Sequence, residues 1–405
     1  MSARVRSALV IGGGVAGPAT ALALRKAGIE ARLYEARPTG AADAADAEGV
    51  FLTLASNGIE ALRAIDADGP VLAAGFPTPA IVLRSGSGKR LGASSTGGTL
   101  PDGTVSHTLR RADLAGALRA QALEAGIAVE TGRRLVAAEP AGDGVRARFA
   151  DGGEARADVL IGCDGVHSAV RRAIDPGAPK PAYAGLLSTG GWTRGVPVEL
   201  EPGGCEMYFG RRAFFGCTLA PDGTVWWFAN VPRRDEPGRD GVEGDGETWR
   251  RRLLELFERD AAPAVALISA GGAVAPPTPV HTVPRLPHWH RDRMIVVGDA
   301  AHAPSPSSGQ GASLAIEDAV VLAQRLRDLP GPAEAFAAFE AERRPRVERI
   351  VRWAARVNSS KAAGPVGRVL RDATLPLILR LTADGRAQRS VWDHRTVWEE
   401  PAAAG

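Results

Sequence analysis

Cysteine, lysine and aromatic residues are all scarce in this chain of 405 residues. The three cysteines form no Cys-x-x-Cys pair, which excludes a zinc ribbon or a disulfide scaffold and favours a reducing cytoplasm. No excess of either charge is present, because 49 lysines and arginines stand against 46 aspartates and glutamates. A net charge of +3 argues against a broad phosphate-binding surface, and therefore against nucleic acid as a partner.

Long uncharged apolar runs are absent as well, and none reaches the ~18–20 residues that span a bilayer. We therefore expect a cytoplasmic protein with no membrane partner, either a monomer or a homodimer. Glycine, in contrast, accounts for 49 of the 405 residues, well above its usual ~7%. Since the chain is 45% hydrophobic and so not disordered, this excess of glycine requires a structural explanation.

The first glycine cluster lies between a predicted strand and a predicted helix. Residues 7–11 are an apolar run typical of a buried parallel strand, and the run ends at Gly12-Gly13-Gly14-Val15-Ala16-Gly17. Residues 16–27 then have the pattern of a helix, and residues 29–35 that of the next strand. The first 35 residues therefore predict one βαβ unit with a G-x-G-x-x-G turn.

This placement of the glycines predicts dinucleotide binding. Gly12 permits a tight turn, Gly14 lets the backbone approach a pyrophosphate, and Gly17 lets helix and strand pack closely. The helix that begins at Ala16 directs its N-terminus at the same anion. Glu35 ends the second strand, where a carboxylate accepts hydrogen bonds from ribose hydroxyls and disfavours a 2′-phosphate. The bound dinucleotide is therefore FAD or NAD rather than NADP.

Two further turns follow strands later in the chain. Residues 160–171 end a strand at Asp164-Gly165, a pattern that is equally typical of an ordinary strand-to-helix turn capped by Ser168. Residues 297–311 place Asp299 after a strand and lead through a proline-rich loop to a Gly-x-Gly helix start. Backbone N–H groups and a helix dipole in this loop can face a second anionic group.

These three motifs, in this order, resemble the flavoprotein aromatic hydroxylases, which are single-component FAD-dependent monooxygenases related in fold to para-hydroxybenzoate hydroxylase. The third motif carries the most specific part of the resemblance, since it follows the pattern G-D-A-A-H-x-x-x-P-x-x-G-Q-G from Gly298 to Gly311. One departure is Ser313, where many relatives have asparagine. The resemblance covers about residues 7–350 of the chain.

The resemblance implies FAD as the cofactor and NAD(P)H as a transient co-substrate. It places Arg111 near the FAD phosphates and ribityl chain, and Asp299 at the ribityl hydroxyls and pyrophosphate. It also implies that residues 41–50, with Gly49, form a loop past which the flavin swings, and that His302 shapes its loop rather than acting as a base. The complete set of implied cofactor residues is Gly12, Gly14, Ala16, Gly17, Glu35, Arg111, Asp164, Gly165, Asp299, Pro306, Gly309, Gly311 and Ala312.

The fold class that follows is α/β: a Rossmann-like FAD-binding domain with an inserted, mainly antiparallel β-sheet substrate domain and C-terminal helices. Strand signals dominate residues 181–285, and Gly-rich turns mark hairpins, whereas helical patterns fill most of the chain after residue 311. The predicted segments are 1–75, 103–180 and 286–350 for the FAD-binding domain, 76–102 for a substrate-domain hairpin, 181–285 for the substrate-binding sheet, and 351–405 for the C-terminal helices.

The predicted activity is monooxygenation of an aromatic or polyketide-like molecule, by hydroxylation or epoxidation. By the resemblance, NAD(P)H supplies electrons, and dioxygen supplies one oxygen atom through a flavin 4a-hydroperoxide. A reductase or oxidase of the same fold is the main alternative. A halogenase is a weaker one, because Ala229 stands at the second tryptophan of the halogenase W-x-W-x-I-P pattern. A non-catalytic flavin-binding protein is the last alternative, and no catalytic residue or metal ligand is identified.

Aromatic residues of the strand-rich segment are candidates for the substrate pocket. Alternation along a strand places Trp226 and Phe228 on one face and Trp227 on the other, but the sequence does not say which face lines the pocket. For any one of these aromatic residues, core packing is the more frequent role. The chosen candidates are Trp192, Phe209, Phe215 and Trp227.

Overall fold

A computed structural model describes residues 4–38, 51–238, 244–361, 364–382 and 391–399 of the chain. The loop predicted at residues 41–50, with Gly49, lies outside the described residues, as do residues 239–243.

Nineteen strands lie in the part of the chain that the structure describes. They are β1 Ser7–Ile11, β2 Glu30–Tyr34, β3 Phe51–Leu54, β4 Phe76–Pro77, β5 Ala80–Ser85, β6 Arg90–Ser95, β7 His107–Arg110, β8 Ala128–Glu130, β9 Leu135–Ala141, β10 Gly144–Phe149, β11 Glu154–Ala157, β12 Val159–Gly162, β13 Ala182–Thr193, β14 Cys205–Phe209, β15 Phe214–Leu219, β16 Val225–Pro232, β17 Thr278–Thr282, β18 His290–Arg291 and β19 Met294–Val296.

Helices connect these strands and fill the C-terminal part of the described chain. No helix among the described residues is long and apolar enough to cross a membrane. The helices are α1 Ala16–Lys26, α2 Ser56–Ala64, α3 Asp68–Ala73, α4 Arg111–Glu124, α5 Ala169–Ile174, α6 Gly246–Phe257, α7 Ala264–Ala270, α8 Asp299–His302, α9 Gly311–Asp328, α10 Pro332–Lys361 and α11 Pro365–Thr382.

A six-stranded sheet in the order β18-β19-β12-β1-β2-β8 forms the centre of the cofactor half. Its strands are parallel except for the edge strand β18. The apolar run of residues 7–11 forms β1 because it is buried on both sides, and Leu9 and Val10 have no exposed surface. The β1-α1-β2 unit appears where the sequence predicts it, and Gly28 ends the connection with a φ of +77°.

A seven-stranded sheet in the order β17-β13-β16-β15-β14-β5-β6 forms the other half. Its neighbouring strands are antiparallel except for β14 and β5, which are parallel. Because β5 and β6 come from residues 80–95, two distant parts of the chain build this one sheet. Helices α6 and α7 cover one of its faces, with Trp249, Leu253 and Phe257 of α6 buried against it.

The predicted α/β class with a parallel sheet is confirmed, although some elements were not predicted. Helix α3 contains Gly69 and Pro70, which are residues typical of turns. Strand β9 contains Pro140 and pairs with β10 through a register shift, so its alternation is weak. These elements depend on packing against neighbours rather than on a local pattern.

Candidate functional site

The glycines of the first motif are required for two different reasons. A Cβ atom at Gly12, whose φ is +112°, would lie 2.4 Å from the carbonyl oxygen of Cys163, and one at Gly17 would lie 1.8 Å from the carbonyl oxygen of Gly12. Close backbone packing therefore explains both positions. A Cβ atom at Gly14 would meet no atom within 4 Å. The space beside Gly14 is open, as a site that receives a phosphate group requires.

The N-terminus of α1 lies next to this open space, and no side chain of the described residues caps it. Its first turn contains no acidic residue. The basic residues Arg25 and Lys26 lie in its last turn, at the opposite end. The first N–H groups and the positive end of the helix dipole are thus available to an anion.

Glu35 lies next to the glycine turn. Its carboxylate accepts hydrogen bonds from the backbone N–H groups of Gly13, at 2.6 Å, and Arg37, at 2.8 Å. Arg119 of α4 donates to the carbonyl oxygen of Gly13 at 3.1 Å, so α4 lies against the same turn. Arg111 is the exposed first residue of α4, about 12 Å along the helix axis from Arg119.

The second motif holds the start of α5. The Asp164 carboxylate accepts hydrogen bonds from the N–H groups of Ala169, at 2.7 Å, and Val170, at 3.1 Å, and also from the Ser168 hydroxyl. Burial raises the pKa of Asp164, although these hydrogen bonds oppose the rise. Ser168 accepts from the Arg171 N–H, which confirms that it caps the helix. Asp164 therefore orders the turn that follows β12, next to Gly12.

The third motif approaches the first through Gly298. A Cβ atom at this residue, whose φ is +57°, would lie 3.2 Å from the Cβ atom of Ala16 and 3.0 Å from that of Ala315. The Asp299 side chain lies next to Gly311, the first residue of α9: its carboxylate oxygen is 3.7 Å from the point that a Cβ atom on Gly311 would occupy. The loop between them contains a short 3₁₀ turn at Pro306–Ser308 and then Gly309, with a φ of +62°. The first and third motifs thus meet at the N-termini of α1 and α9.

A buried ion cluster, which the sequence analysis missed, supports this loop from behind. His302 Nε2 lies 2.5 Å from Asp318 Oδ2, and Arg343 donates to Asp318 Oδ1 at 2.7 Å. Burial alone would raise the pKa of Asp318, but the charges of His302 and Arg343 lower it to about 2. His302 therefore has a protein partner that fixes its ring, in agreement with a loop-shaping role.

A second part of the cluster reaches the loop through Gln310. Asn57 of α2 donates to Gln310 Oε1 at 2.9 Å and to Glu317 Oε1 at 2.6 Å. Arg346 donates to the same Glu317 oxygen at 2.8 Å. The signal that the sequence did offer is two consecutive acids, Glu317 and Asp318, in an otherwise largely apolar helical segment, because buried acids require cationic partners.

One face of the seven-stranded sheet points toward the cofactor half, and we call it the inner face. The ring of Trp226 lies 5.2 Å from that of Phe76, and the ring of Phe228 lies 5.6 Å from that of Phe51. Asn358 of α10 accepts hydrogen bonds from Ser305, at 2.9 Å, and Ser307, at 3.0 Å, and donates to Ala184 of β13 at 3.4 Å. Asn358 therefore links the glycine-rich loop to strand β13 of the sheet.

The structure corrects two of the four predicted pocket residues. Phe215 and Trp227 point to the opposite, outer face, where they pack against each other and under α6 and α7. They are 0% and 1% exposed, so they are core residues and do not line a pocket on the inner face. Trp192 lies on the inner face, because it is directly opposite Trp226. Phe209 is also on that face, but its ring is covered by Phe214 and by the Arg371 guanidinium.

The N-termini of α1 and α9 thus lie near each other, with Glu35 beside the first and Asp299 beside the second. Helix N-termini with a glycine-rich turn suit the pyrophosphate of a dinucleotide, and the class of protein that this arrangement indicates is a dinucleotide-binding protein such as a flavoprotein. No group of three or more metal-ligating side chains was found among the described residues. Residues 6–354 match the FAD binding domain family, and the chain belongs to this family.

Its relatives are flavin-dependent oxygenases. The chain is 30% identical to aurachin C monooxygenase/isomerase of Stigmatella aurantiaca, over 83% of this chain and 85% of the relative. It is also 30% identical to the FAD-dependent urate hydroxylase of Klebsiella pneumoniae, over 85% and 87% of the two chains. The crystal structure of HpxO from Klebsiella pneumoniae with FAD and uric acid matches with a TM-score of 0.80 and 26% identity, over 96% of both chains.

The fold, the family and these relatives identify this chain as an FAD-dependent monooxygenase that uses NAD(P)H. The predicted cofactor and reaction class are confirmed, and the alternatives of the same fold are not supported. The roles assigned to individual residues, from Gly12 to Ala312, stay predictions. The residues that sequence reasoning did not single out are Phe51, Phe76, Asn57, Asn358 and the buried ion cluster.

Proposed function

We propose that this monooxygenase hydroxylates a flat aromatic or heteroaromatic small molecule that lies between the inner face and the bound FAD. The observation that carries the proposal is the half-buried row of Trp192 and Trp226, with Phe228 next to it, opposite Phe51. Aromatic walls of this kind suit a planar apolar ligand. The alternative products, an epoxide or an oxidised ring, would require the same binding face.

The residues of the cofactor half fit FAD. The open space beside Gly14 and the uncapped N-terminus of α1 would receive the pyrophosphate, and Glu35 would bind the ribose hydroxyls. Asp299 would hold the ribityl chain, and Arg111 the phosphates. When bound, FAD supplies the redox chemistry, since it takes electrons from NAD(P)H and activates dioxygen.

The chain itself would contribute positioning, charge and exclusion of water. The N-terminus of α9, at Gly311 and Ala312, favours negative charge beside it, and the chain holds that helix start in place through Gln310 and Asn57. The aromatic side chains of the inner face would keep water from the reacting atoms. No proton transfer is assigned to a side chain.

We also propose a cytoplasmic location, which the three free and buried cysteines support. The division into a cofactor domain and an inserted substrate domain is likewise a proposal, supported by the pairing of β5 with β14. We propose that the enzyme is a monomer or a homodimer, two states that gel filtration distinguishes.

The test of the proposed function is turnover of the purified yellow protein with NAD(P)H, an aromatic panel and ¹⁸O-labelled dioxygen. We expect one labelled oxygen atom in the product. NAD(P)H consumption with no label in any product, and hydrogen peroxide in stoichiometric amount with each compound of the panel, would contradict the proposal and favour an oxidase. The panel contains phenols, quinolones and purines, which are flat ring systems of the proposed class; the purines include urate, which the name of the Klebsiella pneumoniae relative gives as its substrate.

A further inference from the structure

The last described part of the chain, residues 391–399, lies outside the residues that match the FAD binding domain family, which end at 354. We call it the C-terminal segment. Val391 and Trp392 are buried in the same hydrophobic core as β1, and Trp398 packs against that core. A part of the chain that the family match does not include therefore belongs to the structure around the cofactor site.

Trp392 lies next to Gly309, in the loop that leads to α9. Its ring carbon Cη2 is 3.6 Å from the point that a Cβ atom on Gly309 would occupy. Apart from the adjacent residues of the loop, no other described atom lies within 4 Å of that point. Gly309 has a φ of +62° and ends the 3₁₀ turn. Because Gly309 has no side chain of its own, the Trp392 ring supports the left-handed turn on this side.

The Trp392 ring is held in place by other elements. It packs edge-on against Trp353 of α10, with 6.1 Å between the ring centroids. The carbonyl oxygen of Trp392 accepts a hydrogen bond from the hydroxyl of Ser56, the first residue of α2, at 3.3 Å. The carbonyl oxygen of Val391 accepts one from Arg346 of the buried ion cluster at 3.1 Å. The position of the ring therefore depends on α2, α10 and the ion cluster.

The other end of the C-terminal segment is held far from the loop. The Trp398 ring centroid lies 5.0 Å from the guanidinium carbon of Arg327 and 5.4 Å from the ammonium nitrogen of Lys26. Arg327 and Lys26 are in the last turns of α9 and α1, whereas the glycine motifs precede the first turns of these helices. Along the axis of α9, Arg327 is roughly 24 Å from Gly311.

A cavity separates the two ends of the segment from each other. It has a volume of about 380 Å³ and lies between α10 and residues 393–395. The side chains that line it are all charged or titratable, so they offer no apolar packing to the middle of the segment. The contacts of Trp392 and those of Trp398 are therefore separate, and substitutions at the two positions should act independently.

We propose that Trp392 is a positioning residue for FAD. It supports the turn at Gly309 and thereby holds Gly311 and Ala312, the first residues of α9, in the conformation that binds the cofactor. A loop that keeps its binding conformation for only part of the time binds with a correspondingly higher apparent Kd. The inference rests on the proposed function, because that function places the flavin beside the start of α9.

The first test measures the Kd for FAD of the full-length protein after removal of its cofactor. In Trp392→Ala, the Kd should rise ~10-fold, as expected if the loop keeps its binding conformation about a tenth of the time. Trp398→Ala is the matched control, because it removes the same ring from the other end of the segment. Its free energy of unfolding should fall, but its Kd for FAD should not change. Trp392→Phe keeps a ring beside Gly309 and should restore most of the affinity.

Two results would overturn the inference. One is an unchanged Kd for FAD in Trp392→Ala. The other is an equal rise of the Kd in both alanine variants, which would mean that the segment acts through overall stability alone. If either alanine variant does not fold, the pair Trp392→Leu and Trp398→Leu gives the same comparison.

The second test observes the loop itself, by amide hydrogen exchange in the cofactor-free protein. The amides of residues 305–312 should exchange faster in Trp392→Ala than in the unsubstituted protein. Their exchange in Trp398→Ala should not change. Weaker FAD binding in Trp392→Ala with unchanged exchange in this loop would show that Trp392 does not act through Gly309, and would also overturn the inference.

The inference and the proposed function fail in different experiments. If an aromatic compound receives labelled oxygen while Trp392→Ala binds FAD as tightly as the unsubstituted protein, the inference is wrong and the proposed function stands. If Trp392→Ala binds FAD more weakly and no aromatic compound receives labelled oxygen, the inference stands and the proposed function is wrong.

Discussion

The ring of Trp226, in the seven-stranded sheet, lies 5.2 Å from the ring of Phe76, in the small sheet formed by β3, β7 and β4. Trp227, the next residue in β16, points the other way and is 1% exposed beneath α6 and α7. Two adjacent tryptophans therefore belong to different environments, one at the candidate substrate site and one in a closed core.

Replacing each tryptophan by alanine should separate binding from stability. Trp227→Ala should lower the free energy of unfolding by about 3–5 kcal/mol, because it leaves a cavity in a packed core. Trp226→Ala should lower it by less, since Trp226 is half-buried, but should raise KM for the aromatic substrate. Urea unfolding and steady-state kinetics measure the two effects. A larger KM effect in Trp227→Ala than in Trp226→Ala would contradict the assignment of the inner face.

The open space at Gly14 makes a prediction about FAD. Gly14→Val should fold, because its side chain would meet no protein atom within 4 Å at the Cβ position, but it should lose FAD binding by filling the phosphate site. Gly69→Val is the matched control, since Gly69 in α3 is equally open and distant in sequence from the three motifs. Flavin absorbance after purification measures occupancy, and circular dichroism measures folding. A yellow Gly14→Val protein would show that the pyrophosphate lies elsewhere.

Local patterns of the sequence were sufficient for the first βαβ unit of the cofactor half. Gly17 is required by a backbone contact inside this unit, with the carbonyl oxygen of Gly12, so the spacing of the two glycines carries that information. The contact that requires glycine at position 12 is with Cys163, after β12, but its positive φ is a local property of the turn. Ser168 caps α5 for the same reason, because its partner is only three residues away. The hairpin turns and the long C-terminal helices also follow from short-range patterns.

The choice between two faces of one strand cannot be made locally. Alternation correctly separated Trp226 from Trp227, but which of the two faces is left uncovered depends on where α6 and α7 pack, and these helices come from residues 246–270. Phe215 was misassigned for this reason. The partners of Asn57 lie more than 250 residues away, at Gln310 and Glu317, so no spacing rule predicts them.

The buried Asp318 should give the enzyme a specific response to acid. Its folded-state pKa of about 2 lies below the ordinary value of 3.8, so its contribution to stability is present above pH 4 and is lost as the pH falls toward 2. Asp318→Asn should remove this part of the acid sensitivity and lower the free energy of unfolding at pH 7 by about 3–5 kcal/mol, because Arg343 loses a buried partner.

Asp102→Asn is the control for this prediction. The pKa of Asp102 is also lowered to about 2, by hydrogen bonds from Thr104 and Arg63, but its carboxylate is exposed to solvent. Water screens that pair, so the substitution should have a much smaller effect on unfolding at pH 7. Chemical unfolding at pH 7, 4 and 3 measures both variants, and equal losses in the two would contradict a special role for the buried cluster.

Asn57 links the glycine-rich loop to the ion cluster, and its substitution should affect FAD as well as stability. In Asn57→Asp, a second carboxylate replaces the group that donates to Glu317 at 2.6 Å, so two negative charges would lie in contact. We expect the free energy of unfolding to fall by about 2–4 kcal/mol at pH 7 and to recover partly at pH 5, because repulsion between the two carboxylates raises the pKa of one of them and favours its protonation as the pH falls. Because Gln310 loses its donor, the Kd for FAD should rise as well.

Asn57→Ser is the control for this prediction. It adds no charge, so it should show a smaller loss of stability, without the recovery at pH 5. If Asn57→Asp binds FAD as tightly as the unsubstituted enzyme, the hydrogen bond from Asn57 to Gln310 does not position the loop.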